Sequence, residues 1–267
     1  MIEAVHRGFA LDRESAIPLY YQLASAIRER IQAGTLAVGD QLPAERDLAR
    51  EAGISRMTAR QALADLTVSG DVVVRHGVGT FVAAPKLTHD ALHLLGFSEE
   101  MARLGGEVSS RVLECAVVTP PAAIAAALEL PEWETTLRVV RLRSAGATPL
   151  LLETSYLPHA RCPGLEREDL ERQSLYGLLE TRYGHRLRTA RQTIEATMAS
   201  SYERELLAAH DGAAMLVLEG VAVTEPGWPI EWFRAIYRGD RVKIAIESQR
   251  EMRHAAEVTS PVSVLLT

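Results

Sequence analysis

Arg56 and Arg60 lie four residues apart and are the first side chains whose type and spacing suggest a chemical role. Residues at that spacing share one face of a helix, so both guanidinium groups would point the same way. A guanidinium can donate two parallel hydrogen bonds to O6 and N7 of guanine in the major groove of DNA. Thr58 and Gln61 stand beside the two arginines. These residue types indicate contact with double-stranded DNA, although an ordinary solvated helical hairpin has the same spacing.

A glycine-bearing turn, His76-Gly77-Val78-Gly79, follows soon afterwards. The flanking runs Asp71–Arg75 and Thr80–Val82 predict two strands, so the turn is the tip of a β-hairpin. Glycine at the tip allows the backbone to approach a groove or a phosphate closely, because it has no Cβ. Two helices followed by such a hairpin predict a helix-turn-helix with a wing, which is less common by chance than the helix pair alone.

Helix caps and apolar spacing predict the elements that must position these residues. The first helix opens at Leu42-Pro43-Ala44 and ends at Gly53, because proline is tolerated in a first turn and glycine at a left-handed C-cap. Ser55 is predicted to cap the second helix, which Gly70 ends. The apolar face of this second helix comprises Ala59, Ala62, Leu63 and Leu66. An earlier helix, from Pro18 to Gly34, supplies the surface on which the pair packs.

A second chemical candidate lies on the predicted strand Thr136–Ser144. Alternation along a strand places Arg141 and Arg143 on the same face as Leu137 and Val139. Guanidinium groups on a half-buried surface need an anion, because leaving them unpaired there is costly. A carboxylate or phosphate ligand would match their geometry. Internal salt bridges are the alternative, and the residues alone favour it, since most arginines pair within their own chain.

Two further segments carry weaker signals. Gly96-Phe97-Ser98-Glu99-Glu100-Met101 predicts the start of a helix capped by Ser98, and such an N-terminus can also hold an anion. The cap explains the pattern without a ligand. His89 and His93 are four residues apart and could hold a metal on a helix, but no third ligand is near. Solvated linker histidines are the favoured interpretation, and we predict no metal site and no cofactor.

The chain after residue 107 predicts an α+β domain built on a largely antiparallel sheet. The predicted strands are Ser110–Thr119, Thr136–Ser144, Pro149–Tyr156, Arg188–Met198, Ala214–Thr224, Ile230–Tyr237 and Val242–Gln249. The predicted helices are Ala122–Leu128, Leu175–Tyr183 and Tyr202–Ala209. The domain division that follows is 1–82 for DNA binding with an N-terminal arm, 83–93 as a linker and 94–267 as the second domain.

Composition bounds the class of protein. The 267 residues are 47% hydrophobic and 24% charged, as in a globular protein, and contain two cysteines. Few cysteines, early charges and no long apolar run predict a cytoplasmic protein without a membrane segment. The net charge of −6 argues weakly against nucleic acid. Residues 1–86 are neutral, however, with ten basic and ten acidic residues, so local arrangement must provide the attraction.

Residues 17–82 resemble the winged-helix domain of GntR-family transcription regulators. The resemblance rests on Ile17-Pro18-Leu19-Tyr20, Leu42-Pro43-Ala44-Glu45-Arg46, Ser55-Arg56-Met57-Thr58-Ala59-Arg60-Gln61-Ala62-Leu63 and His76-Gly77-Val78-Gly79-Thr80-Phe81-Val82. It implies DNA contacts by Arg46, Arg56, Thr58, Arg60, His76 and Gly77. Ser55 and Gly79, which flank these positions, complete the candidate DNA-binding set.

Residues 94–249 resemble the effector-binding UTRA domain of the HutC-type branch of that family, whose fold resembles chorismate lyase. The landmarks are Gly96–Met101, Val140-Arg141-Leu142-Arg143, Leu152-Glu153-Thr154-Ser155-Tyr156-Leu157-Pro158, Ser174-Leu175-Tyr176 and Tyr237-Arg238-Gly239-Asp240-Arg241. The resemblance implies that Ser98, Arg141, Arg143 and Ser174 hold a phosphate. It places Glu153, Tyr176, Glu231 and Tyr237 around the rest of the pocket.

The combined expectation is a homodimeric DNA-binding regulator, with repression favoured, that leaves an inverted-repeat operator when it binds a small anionic effector. A phosphorylated sugar or amino sugar is the favoured effector, and an organic acid is the alternative. A lyase-like enzyme acting on a small organic acid is the competing class. No arrangement of nucleophile and base, metal-ligand spacing or nucleotide loop in the sequence supports it. A pure protein-interaction module would leave the wing glycines and helix arginines unexplained.

Overall fold

The computed structural model describes residues 8–75, 77–90, 96–103 and 108–246. The N-terminal unit consists of α1 (Leu19–Gln32), α2 (Glu45–Ala52), α3 (Arg56–Ser69), β1 (Val72–Arg75) and β2 (Gly79–Val82). β1 and β2 form an antiparallel hairpin. The predicted helix-turn-helix with a wing is therefore confirmed.

The caps in this unit are the ones that the residue types predict. The Ser55 hydroxyl accepts a hydrogen bond from the Thr58 backbone N–H at 3.1 Å, which fixes the start of α3. Gly53, with φ of 63°, and Gly70, with φ of 80°, end α2 and α3 in the left-handed conformation. α2 begins at Glu45 rather than at Leu42, because the preceding residues form the extended approach to the helix.

α1 and α3 pack face to face in the N-terminal core. Their fully or nearly fully buried side chains are Leu23, Ala24 and Ile27 from α1 and Ala59, Ala62, Leu63 and Leu66 from α3. Burial of this apolar stripe leaves the opposite face of α3, with Arg56 and Arg60, in solvent. The core thus determines which way the two arginines point.

The second unit is α+β, as predicted. Its strands are β3 (Leu87–Asp90), β4 (Val108–Val118), β5 (Thr136–Ala145), β6 (Thr148–Pro158), β7 (Leu187–Met198), β8 (Ala214–Thr224), β9 (Pro229–Arg238) and β10 (Val242–Ala245). Its helices are α4 (Phe97–Arg103), α5 (Ala122–Ala127), α6 (Leu175–Thr181) and α7 (Ser201–Leu207), with short 3-10 turns at His159–Arg161 and Leu165–Arg167. Among the described residues, no helix is both long and apolar enough to cross a membrane.

Six of these strands form one antiparallel sheet in the order β4-β5-β6-β9-β8-β7. The largest core cluster combines β5, β6, β8 and β9 with α6 and the loop around Leu165. A smaller cluster places Leu207 of α7 against Leu142 and Ile236. The sheet therefore has apolar contacts on both faces, which explains why nearly all of β5 is buried.

β3 was not predicted. It lies within the segment 83–93 that we expected to be a linker, and it pairs in parallel with β10, with Leu87 opposite Val242. The Leu87 N–H donates to the Arg241 carbonyl at 2.8 Å. Four residues with mixed polarity carry no strand signal of their own, because their partner strand is distant in the chain. The predicted strand Val242–Gln249 is observed as Val242–Ala245, and residues 247–249 lie outside the described residues.

The two units touch at the end of α3. A Cβ added at Gly70 would overlap the carbonyl of Asp240, so the C-cap of α3 lies directly against the loop that follows β9. The Lys86 ammonium donates to the carbonyl of Gly239 in the same loop at 2.6 Å. Glycine is thus needed at position 70 for its positive φ and for the close approach.

We predict that Gly70→Ala destabilises the protein more than Gly34→Ala does. Both glycines have positive φ, but a Cβ at Gly34 would meet nothing within 4 Å. Gly34→Ala should lower the free energy of unfolding by about 1 kcal/mol, the cost of the left-handed conformation. Gly70→Ala should lower it by on the order of 3 kcal/mol, because the overlap with Asp240 is added. Urea denaturation of both variants measures the difference, and equal losses would contradict the close contact.

Candidate DNA-binding surface and ligand pocket

One carboxylate holds the two arginines of α3 together. Glu45, the first residue of α2, accepts from Arg56 Nε at 3.2 Å and from Arg60 Nε and Nη2 at 3.0 Å each. The Arg56 side chain is nevertheless 66% exposed and that of Arg60 is 54% exposed. The hydrogen bond from Arg60 is the main reason that the pKa of Glu45 lies below its usual value.

The remaining predicted DNA-binding residues of the helix pair lie near these arginines. Arg46 follows Glu45 on α2 and its side chain is 81% exposed. The Ser55 and Thr58 hydroxyl oxygens are 2.8 Å apart at the start of α3. Glu45 could not be recognised from the sequence as the residue that aligns the arginines, because a contact between two helices has no local pattern.

The wing lies beside α3, and Gln41 contacts its tip. Gln41 Nε2 donates to the Val78 carbonyl at 3.1 Å. Gly79 has φ of 146°, and a Cβ there would collide with the Gln41 amide. Gly77 has φ of 74° with open space around it, and Val78 is 62% exposed. His76 lies outside the described residues.

A cavity of about 50 Å³, partly open to solvent, lies in the second unit between the sheet and the starts of α4 and α6. Seven of the eight predicted effector residues line it, namely Ser98, Arg141, Arg143, Glu153, Ser174, Tyr176 and Tyr237. They come from five separate elements, and Glu153 of β6 stands opposite Arg141 of β5 in the strand register.

Two arginines in this cavity share one carboxylate. Arg141 Nη2 donates to Glu153 Oε2 at 2.6 Å, and Arg143 Nη1 lies 3.3 Å from the same oxygen. Arg143 Nη2 also donates to the Ser98 hydroxyl at 2.6 Å. Both arginine side chains are 3% exposed. The internal salt bridges considered from the sequence therefore exist, but they supply one negative charge for two positive charges.

Hydrogen-bonding capacity is left over as well. Arg141 Nε and Nη1 and Arg143 Nε are buried and have no hydrogen-bond partner among the described residues. Buried donors normally have partners, so unused guanidinium N–H groups beside a cavity indicate room for an acceptor. The surplus charge and these free donors both favour an anion.

Burial and charge shift the pKa values in this cluster. Burial lowers the pKa of Arg143 to about 10, against the opposing effect of Glu153, so Arg143 remains charged at neutral pH. Burial would raise the pKa of Glu153, but Arg141 and Arg143 outweigh it and the net shift is downward. Arg143 and Glu153 are therefore both ionised at pH 7.

Glu231 differs from Glu153 in its position relative to the cavity and in the direction of its pKa shift. Its side chain is buried, and it does not line the cavity. Burial and the charge of Glu153 raise the pKa of Glu231 to about 7, while Ser155 and Tyr176 act in the opposite direction. Glu231 thus lies behind Tyr176 rather than at the cavity wall, and it is partly protonated at neutral pH.

The prediction that Ser98 caps a helix is wrong. α4 begins at Phe97, so Ser98 lies within the first turn and its hydroxyl binds Arg143 instead. Ser174 does act as a cap, since its hydroxyl accepts from the Gly177 N–H at 3.2 Å at the start of α6. The Ser174 hydroxyl also donates to Glu99 Oε1 at 3.3 Å.

Several cavity residues were missed by sequence reasoning. His89, interpreted as a solvated linker histidine, stacks on Tyr237 with ring centroids 5.3 Å apart and lines the cavity. That interpretation is therefore wrong; His93 lies outside the described residues. Gln192 of β7 also lines the cavity, with Phe97 and Phe233. The alternating pattern of the strands could have pointed to Gln192, but not to which residues lie opposite it.

Two family models account for most of the chain. The model described as bacterial regulatory proteins, gntR family, matches residues 19–82, which include the helix pair and wing. The UTRA domain model matches residues 103–243, which include most of the cavity residues. The chain belongs to the GntR family. Members of this family are DNA-binding transcription regulators, so the enzyme alternative is set aside.

Similar proteins support the assignment to the GntR family over nearly the whole chain. The HTH-type transcriptional repressor NagR of Bacillus subtilis is 30% identical over 86% of this chain and 95% of its own length. The mannosyl-D-glycerate transport/metabolism system repressor MngR of Escherichia coli is 29% identical over 88% of this chain and 97% of its own. The crystal structure of PhnF from Mycobacterium smegmatis matches with a TM-score of 0.60 at 27% identity, covering 85% of this chain and all of that one.

We predict that Glu153→Gln in this GntR protein destabilises the fold far more than Glu114→Gln. Glu153→Gln leaves two buried guanidinium groups without a counter-charge, which should cost roughly 3 kcal/mol. Glu114 pairs with Arg138 on the same sheet, but both side chains are 37% exposed, so its loss should cost less than about 1 kcal/mol. Urea unfolding of the two variants measures the loss in the free energy of unfolding. A small loss for Glu153→Gln would contradict the view that Glu153 is the counter-charge that the two buried arginines need.

Proposed function

We propose that this GntR protein is a homodimeric repressor that leaves an inverted-repeat operator when a small anionic metabolite binds. One observation carries the proposal of an anionic ligand: Arg141 and Arg143 are buried beside a cavity and share a single carboxylate. We assign residues 1–82 to operator binding, 83–93 to the connection and 94–267 to effector binding and dimerisation. Such a regulator works where the DNA is, in the cytoplasm.

Exposed arginines support the operator-binding role. Arg56 and Arg60 lie side by side on α3, and the carboxylate that aligns them is itself at the surface. Surface ion pairs are worth little, so both arginines can leave Glu45 for a base edge or a phosphate at small cost. The proposed DNA contacts are Arg46, Ser55, Arg56, Thr58, Arg60, His76, Gly77 and Gly79.

A dimer with two-fold symmetry requires an operator with the same symmetry. Two α3 helices related by a two-fold axis would enter successive major grooves, which requires half-sites about one helical turn apart. A single DNA-binding module buries less surface on DNA than a dimer does, so two copies together would bind more tightly. An inverted repeat is therefore the operator that this arrangement needs.

The lining of the cavity supports a phosphorylated sugar or amino sugar as the effector, with an organic acid as the alternative. Arg141, Arg143, Ser98 and Ser174 provide donors for a phosphate or a carboxylate. Glu153 and the hydroxyls of Tyr176 and Tyr237 suit the hydroxyl groups of a sugar, and Glu231 lies behind them. The name of MngR refers to a transport and metabolism system for mannosyl-D-glycerate, a sugar that carries a carboxylate, and we propose a ligand of that class for this chain.

A physical route connects the cavity to α3. Tyr237 lines the cavity, and the next residue, Arg238, donates to both carboxylate oxygens of Asp240 at 3.0 and 2.7 Å. Asp240 in turn lies against Gly70 at the end of α3. An effector that moves β9 would shift this contact, and it can weaken operator binding only if it prefers the arrangement that misplaces α3.

We predict that Arg56→Ala and Arg60→Ala each weaken binding to an operator selected in vitro by the wild-type protein. The expected cost is about 1–3 kcal/mol for each variant, because each guanidinium reads a base edge. Arg172→Ala, which removes an arginine that is 89% exposed in the second domain, is the matched control and should change little. Gel-shift titration at fixed salt measures the affinities. Unchanged binding by both α3 variants would exclude their role.

We also predict that Arg141→Ala removes the effector response while it spares operator binding. Glu153 would still be neutralised by Arg143, but the anion would lose its second guanidinium. Thermal-shift and gel-shift assays with inorganic phosphate, glucose 6-phosphate and citrate compare the response of each variant.

Arg138→Ala is the control for that experiment, because Arg138 lies on the same strand and pairs with Glu114 at the surface. It should respond as the wild type does. If a compound that releases the wild type from DNA also released Arg141→Ala, the proposed anion site would be excluded. The proposed operator-binding role would not be affected by that result.

A further inference from the structure

The outermost strand of the second domain has features of an interface. β7 runs from Leu187 to Met198, and its twelve residues make it the longest strand among the described residues. It is the last strand of the six-stranded sheet and pairs with β8 on one side. Its other edge has no strand partner in the described part of the chain. A long edge strand with free backbone groups is a template for another strand.

The opposite edge strand of the same sheet, β4, is protected against pairing with another strand, and β7 is not. β4 has a register irregularity between Val112 and Glu114, and the Val112 N–H donates to Glu171 Oε1 at 2.9 Å. Bulges and side-chain caps of this kind block the addition of another strand. β7 has its one irregularity at the start of the strand, between Leu187 and Thr189, and its central residues are regular.

The middle of β7 is open on both faces. Residues 193–196 are all exposed, although a strand beside a sheet core normally buries one face. Ala190 packs against the largest core cluster and Gln192 lines the cavity, so this face of β7 is the one directed at the core. Ile194 is the next residue on the same face. Ile194 is 41% exposed, and Met198 on the same face is 62% exposed. Apolar side chains at this edge indicate that something covers them.

We propose that β7 pairs with β7 of a second copy of this chain, antiparallel, about a two-fold axis at Thr193. This rests on the homodimer in the proposed function and names its surface. With that centre, Arg191 lies opposite Glu195 of the second copy and Glu195 lies opposite its Arg191. Neither residue has an ion-pair partner within the described ranges of its own chain. Thr189 lies opposite Thr197, and Ala190 lies opposite Ala196.

Other registers lose this complementarity. An axis at Arg191 places two arginines opposite each other, and an axis at Glu195 places two glutamates opposite each other. Like charges directly opposite are destabilising in an antiparallel pair. Axes at Gln192 or Ile194 leave Arg191 and Glu195 facing uncharged residues. The charges of β7 therefore select one alignment, with the Ile194 side chains of the two copies diagonal across the axis.

Charge reversal tests the pairing in the full-length protein without DNA. Arg191→Glu and Glu195→Arg should each raise the dimer dissociation constant roughly tenfold or more, because both cross-strand pairs become repulsive. The double variant should restore the wild-type value, and a mixture of the two single variants should form heterodimers in preference to homodimers. Arg188→Glu, on the same strand but outside the pairs, is the control. Sedimentation equilibrium measures each constant.

A cross-linking experiment tests the register. Thr193→Cys should form a disulfide-linked dimer on mild oxidation, because the axis brings the two copies of residue 193 together. Thr189→Cys should not, since its two copies would be roughly 27 Å apart. A dimer that is unaffected by charge reversal, or that cross-links equally at both positions, would overturn the β7 interface and leave the repressor proposal intact. A wild-type protein that stays monomeric would overturn the interface and the two-fold operator together.

Discussion

The sharing of Glu153 by Arg141 and Arg143 is the constraint around which the effector domain is organised. Two guanidinium groups on neighbouring positions of one face of β5 lie beside a cavity that is partly open to solvent, and one carboxylate from β6 partly neutralises them. Water screens their charge only weakly, because both side chains are almost completely buried. The domain therefore retains a positive surplus and unused N–H donors at the cavity. An anionic metabolite is the ligand that we propose for this arrangement.

The N-terminal unit uses the same device at the surface, with the opposite energetic outcome. Glu45 also gathers two arginines, yet both remain more than half exposed. Solvent screens that interaction, so it orders the side chains without binding them strongly. The buried pair retains a positive charge beside a cavity, whereas the exposed pair presents positive charge to solvent. In our proposal, the same combination of two arginines and one glutamate binds a small anion at one site and DNA at the other.

The two units are in close contact at their junction, and our proposal uses this contact to couple the two sites. The loop after β9 carries Asp240, which is held by Arg238 on one side and touches the C-cap of α3 on the other. β3 fastens the connecting segment to β10, so the start of the second domain and its last described strand are also linked. These contacts are close and involve backbone, so a displacement of β9 cannot be absorbed by side-chain rotation alone.

The sequence by itself determined the local elements, the fold class and most of the chemistry-bearing residues. Ser55 and the glycines at 53 and 70 act through neighbouring backbone atoms, and the alternation of β5 placed Arg141 and Arg143 together, so short-range patterns sufficed. The tertiary structure alone decided the partners. Glu45 between two arginines, β3 beside β10, His89 against Tyr237 and Ser98 on Arg143 rather than on a helix end all depend on residues far apart in the chain. Such contacts leave no periodic signal, because long-range packing and burial, rather than local backbone preference, select them.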